Sequence, residues 1–181
     1  MIEMLATLSA SAAAGIRIAI PLLMIGLLQG NHLWSEIPIL SRISSPVLLF
    51  SLTIWSLIEL FASKKLMGQR MLQLVELLFS PLVGAIMALS VASTTTTPNW
   101  LIGLIGGSLA LVLQLVQVGW FYRLRGLPLW AVFLQDILSV ALVLFAINDP
   151  WSGGLIALIL LLFAIRSAKQ WYSLYWQNRR P

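Results

Sequence analysis

The chain contains no cysteine, one histidine and six acidic residues against eleven lysines and arginines in 181 residues. Each scarcity removes a class of chemistry. Without cysteine there are no disulfides, thiolate metal sites or cysteine nucleophiles, and His32 alone does not build a histidine metal cage or proton relay. Ser11, Ser80 and Ser139 lack a histidine partner, since His32 falls on the opposite side of the bilayer from the acidic residues, and neither an H-E-x-x-H motif nor a glycine-rich phosphate loop is present. The expectation is a protein that is not an enzyme, holds no metal and carries no cofactor. A lone loop histidine is read as solvated rather than as a pigment or haem ligand.

What is abundant is apolar surface: 60% of residues are hydrophobic, 9% are charged and mean hydropathy is +0.95, far outside the range of soluble domains. Short polar breaks leave no stretch long enough for a separate soluble domain. The expected fold is therefore all-α, one polytopic membrane helical bundle over residues 1–181 with six transmembrane helices, at about 5–28, 46–62, 71–92, 100–122, 130–147 and 151–176. No positive n-region precedes the first apolar run, so it is read as a span rather than a signal peptide. That span, Leu5–Leu28, is expected to be continuous, with Arg17 near its middle and a kink at Pro21. Gly103, Gly106 and Gly107 in the fourth span predict close helix approach.

Lysines and arginines sort by side. Lys64, Lys65, Arg70, Arg123, Arg125, Arg166, Lys169, Arg179 and Arg180 collect on one face and Arg42 alone on the other, so both termini are expected to be cytoplasmic, or stromal in a photosynthetic membrane. Trp34, Trp100 and Trp151 mark the outer boundary and Trp120, Trp130, Trp171 and Trp176 the inner one. Three spans followed by three also fit the plan of an inverted repeat, with Gly15 and Arg17 set against Gly119 and Arg123.

The stretch Glu59–Pro81 places two carboxylates in apolar sequence on either side of a basic turn. With a rise of about 1.5 Å per residue, Glu59, Glu76, Gln117 and Asp136 all fall in the inner leaflet. Side chains on a helix lean toward its N-terminus, which brings the Arg17 guanidinium down to them. An unpaired charge near the bilayer centre costs about 2.5–3.5 kcal/mol, so these groups are expected to meet in one cluster: Arg17, Glu59, Glu76, Gln114, Gln117 and Asp136. Arg17 with Glu59 is the ion pair first expected of it. Three acids against one arginine leave a negative surplus, to be balanced by a proton, a snorkelling Lys64 or Arg123, or a bound cation.

The motif A-A-x-G-x-R-x-x-x-P-L at Ala12–Leu22, I-E-L-F-A-S-K at Ile58–Lys64 and S-P-L-V-G-A at Ser80–Ala85 resemble the bacterial and plastid membrane proteins of domain-of-unknown-function family 4126. Arg123 and Gln135–Asp136 extend the resemblance. The family tends to have asparagine at Arg17, aspartate at Ser63 and an acid at Gln135, so this chain has lost acids and gained a fixed cation. The resemblance implies a small polytopic membrane protein and no particular activity.

The C-terminal run interleaves Arg166, Lys169, Arg179 and Arg180 with Trp171, Tyr172, Tyr175 and Trp176, an interfacial anchor for anionic lipid headgroups rather than a nucleic-acid site. With almost no mass outside the bilayer, the expected function is a non-catalytic accessory, assembly or structural subunit. Its partners would be other membrane protein subunits or further copies of itself. Low lysine with high leucine, tryptophan and glutamine resembles photosynthetic membrane proteins, so the bacterial inner membrane and the thylakoid membrane are the two expected locations. The alternative is a small transporter or channel for a cation, proton or polar solute that uses the same acids.

Overall fold

The computed structural model describes residues 2–29, 44–62, 66–92, 98–124 and 126–177. Among these residues there is no strand and there are seven helices: α1 (Ile2–Ile16), α2 (Ala19–Gln29), α3 (Ser45–Ala62), α4 (Leu66–Val91), α5 (Asn99–Leu124), α6 (Leu129–Asn148) and α7 (Pro150–Gln177). Four of them, α4 to α7, contain stretches long and apolar enough to cross a membrane, and α1 to α3 are shorter apolar helices. The protein is a helical integral membrane protein. His32, Glu36, Arg42, Lys64, Lys65, the threonine run at 94–97, Arg125, Arg179 and Arg180 lie outside the described residues.

The first apolar run departs from expectation. Instead of one helix kinked at Pro21, it is two helices separated at Arg17 and Ile18. Proline explains where the break falls: its ring collides with the carbonyl four residues back, and that residue is Arg17. The Arg17 N–H still donates to the Ala13 carbonyl at 3.0 Å, which closes α1, and α2 restarts with Pro21 inside its first turn, where a missing N–H is harmless. Helix α4 also begins earlier than expected, at Leu66 rather than Met71, which carries Gln69 and Arg70 into the helix. The remaining boundaries agree with the expected spans to within three residues.

Helix α1 is the axis of the bundle. Its sequence, IEMLATLSASAAAGI, has small residues on every side, and Ala10, Ala12, Ala13 and Ala14 are fully buried. A helix without a polar face is one surrounded by others, and α1 packs against α4, α5, α6 and α7. Its two core serines find backbone acceptors across helix boundaries, Ser9 Oγ donating to the Leu142 carbonyl at 2.7 Å and Ser11 Oγ to the Gly84 carbonyl at 3.2 Å. Helix α3 is peripheral, set mainly against α2. Helix α5, which would answer α1 and α2 in a three-plus-three repeat, runs without interruption.

Close approach sets two glycines apart from a third. A Cβ on Gly15 would stand 2.8 Å from the Ala110 carbonyl oxygen, and one on Gly106 would stand 2.6 Å from Ser11 Oγ and 2.8 Å from the Gly84 carbonyl oxygen. Gly103 needs no such allowance, because its Cβ would meet Ala85 at an ordinary 3.7 Å. Gly106→Val should therefore destabilise the purified protein by about 1–3 kcal/mol, while Gly103→Ala should leave thermal unfolding in detergent unchanged. Equal effects from both variants would remove this account of the α1–α4–α5 contact.

Candidate functional site

The break between α1 and α2 exposes backbone donors that a helix N-terminus leaves without intrahelical partners. Glu59 reaches them from α3. Its Oε1 accepts from the Ile18 N–H at 3.4 Å and its Oε2 from the Ala19 N–H at 3.2 Å, with the residue 1% exposed. A carboxylate at this position is also favoured by the positive end of the α2 dipole. Sequence reasoning had paired Glu59 with the Arg17 guanidinium. The pairing differs because the break, invisible in a continuous helix, supplies two backbone donors to the same oxygens, while Glu59 remains near enough to act on Arg17 through its charge.

Arg17 turns instead to α4 and α6. Its Nη1 donates to Glu76 Oε1 at 3.3 Å, and its Nε lies 2.8 Å from Asp136 Oδ1. The second contact is close but off the N–H axis, so it acts as a charge contact rather than a directed hydrogen bond. Gln114 of α5 completes the shell of Glu76 by donating Nε2 to its Oε2 at 3.1 Å. Four elements thus converge: the α1–α2 junction, α4, α5 and α6. Arg17, Glu76 and Gln114 are all buried, and the Asp136 side chain is 13% exposed.

Gln117 does not join these hydrogen bonds. It lines a small cavity of about 20 Å³ beside them, together with Arg17, Gln69, Leu72, Gln73, Glu76, Leu127, Val132 and Gln135. Sequence reasoning missed Gln69 and Gln73. Gln69, Gln73, Glu76 and Ser80 recur at intervals of four, three and four residues, and all are buried along one side of α4. That helical period was the available signal, concealed by starting the span at Met71. Gln69 is anchored at the end of the stripe, its Nε2 donating to the Leu127 carbonyl and its Oε1 accepting the Leu127 N–H, both at 3.3 Å.

The expected lipid-facing groups lie elsewhere. Arg166 and Lys169 are exposed on α7, and Arg166 borders an open groove of about 370 Å³ with Trp120, Ile159, Leu162, Phe163 and Ser167. Trp120 Nε1 donates to Ser167 Oγ at 2.9 Å across that groove. The backbone of Trp171, Tyr172, Tyr175 and Trp176 continues α7. Among the described residues no group of three or more histidine, cysteine or acidic side chains is placed to hold a metal ion.

Removing the buried cation leaves Glu59, Glu76 and Asp136 without the guanidinium that lies among them. Arg17→Leu should cost about 3–5 kcal/mol, read as lost yield and earlier thermal aggregation in detergent. Adding Glu76→Gln should recover more of the loss than adding Glu59→Gln, because Glu59 serves the backbone and Glu76 the guanidinium. Equal recovery would contradict this division of labour.

No curated protein and no solved structure matches the chain. The family model described as Domain of unknown function (DUF4126) matches residues 4–170, and the chain belongs to that family.

Proposed function

We propose that the protein is a small six-span membrane transporter for protons or water-sized cations, with α1 and α2 together forming one interrupted crossing and both chain ends on the basic face. The observation that carries this reading is the buried helix break at Arg17–Ile18, closed by a carboxylate from another helix and flanked by an ion-paired arginine. Irregular backbone at membrane depth is tolerated where protein buries it, and interrupted helices near the bilayer midplane are where secondary transporters bind substrate and coupling ions. Ionisable groups at that depth mark ion pathways far more often than they add stability.

Charge supports the same reading. Glu59, Glu76 and Asp136 face one guanidinium, and the α2 dipole offsets only part of the difference. The surplus calls for a balancing positive charge, and a proton or small cation is one that transport would supply. A cavity of about 20 Å³ limits the cargo to something the size of water. The accessory-subunit reading draws its support from α3, whose Val47, Phe50, Ile54, Leu57, Ile58 and Phe61 are exposed apolar side chains suited to lipid or to another membrane subunit.

Purified protein in liposomes carrying a pH gradient should dissipate it faster than empty liposomes, and Glu76→Gln should reduce that flux at least tenfold. Wild-type protein that is silent toward protons, sodium and potassium, yet co-purifies stoichiometrically with a larger membrane complex, would favour the accessory reading instead.

A further inference from the structure

We propose that the cavity beside Glu76 is a one-water proton inlet, opening toward the end of the bundle that carries Arg70 and Arg123 and closed at its inner end by the Arg17–Glu76 pair. This deepens the transport reading and rests on it for its purpose. The first observation is shape: about 20 Å³ is room for one water, which needs roughly 10–15 Å³ by the same measure. The second is an orphan. Gln73 is 7% exposed, lines the cavity, and its Oε1 accepts no hydrogen bond among the described residues. A buried amide oxygen without a donor costs about 1–3 kcal/mol, and a water in the cavity would satisfy it.

The lining gives such a water a sequence of partners. Gln69, Gln73 and Glu76 follow one side of α4, so the path from the Leu127 loop to the Glu76 carboxylate covers about 10 Å of helix rise. Gln117 and Gln135 complete the lining from α5 and α6. Amide side chains both donate and accept but do not ionise, so they orient water without trapping a proton. A proton arriving from the basic face joins the cavity water as hydronium and passes to a Glu76 oxygen. Water is regenerated, the carboxylate becomes a carboxylic acid, and the Arg17–Glu76 attraction weakens. The charged neighbours of Glu76 are Arg17 and Glu59, and Asp136 holds the other side of the same guanidinium, so neutralising Glu76 leaves Asp136 as the guanidinium's remaining ion-pair contact.

Beyond Glu76 the cavity does not continue. Ser80 Oγ and Gln114 Oε1 are also buried without a hydrogen-bond partner, but neither residue lines the cavity, and past Ser80 the Gly84–Gly106 and Gly15–Ala110 contacts bring three backbones close together. The inlet is therefore one-sided, which alternating access requires of either state.

The chain's lack of cysteine makes a direct test simple. Full-length protein carrying only Gln73→Cys, reconstituted in vesicles, is exposed to silver ion, a thiol reagent no larger than a water molecule, from each face in turn. Labelling should occur from the Arg123 face and at least tenfold more slowly from the other, whereas Leu142→Cys in the dry core should stay unlabelled. Gln73→Leu should slow proton flux at least tenfold and Gln73→Asn, which keeps the amide, should restore it. Gln73→Cys as inert as Leu142→Cys, or undiminished flux in Gln73→Leu, would overturn the inlet while leaving transport standing. One-sided labelling of Gln73→Cys, together with a wild-type protein that moves no protons, would retain the inlet and overturn transport.

Discussion

A helix interrupted among apolar side chains leaves backbone N–H groups that no solvent can reach, and everything at the centre of this protein follows from supplying them with an acceptor. Proline at position 21 forces the interruption by crowding the Arg17 carbonyl. Glu59 answers it with both carboxylate oxygens, on Ile18 and Ala19. Once those oxygens are engaged, the neighbouring guanidinium must be neutralised from elsewhere. Glu76 and Asp136 do so from two other helices, and Gln114 takes the Glu76 oxygen that Arg17 leaves.

Such convergence requires helices closer than large side chains permit. The alanine- and serine-rich α1 meets that need by running through the middle of the bundle with almost no side-chain volume of its own. Gly15 against Ala110, and Gly84 against Gly106, draw α1, α4 and α5 together just beyond the polar cluster. Small residues on one side of the cluster and glutamines on the other give it a tightly packed end and a polar end. Both ends are written along α4, where Gln69, Gln73 and Glu76 give way to Ser80 and Gly84.

Much of the architecture was legible in composition and periodicity, because lipid imposes long apolar runs that polar turns must separate. The helices α3 to α7 fall where those runs fall. The break in the first run was not legible as such. Proline signals trouble within the preceding turn, but whether a helix bends or divides depends on whether another chain segment can cap the new N-terminus, and that depends on Glu59 in tertiary space. For the same reason the residues Arg17, Glu76, Gln114 and Asp136 could be nominated from depth alone, while the allocation of partners could not. The glutamine stripe was lost for a simpler reason: Gln69 was read as turn because Gly68 and the basic residues beside it look like a loop.

Packing alone gives no reason for the surplus of acid. A structural clamp needs one carboxylate for one guanidinium, and replacing a buried ion pair by apolar residues is often neutral or stabilising. Here three carboxyl groups surround Arg17, and only Glu59 has a structural task that an uncharged acceptor would perform less well. Glu76 and Asp136 engage different nitrogens of one guanidinium, so when either acid is neutralised the other still holds the cation. Such an arrangement suits the transport we propose better than it suits a clamp, and of the buried oxygens without a partner it is Gln73 Oε1 that belongs to a residue lining the cavity.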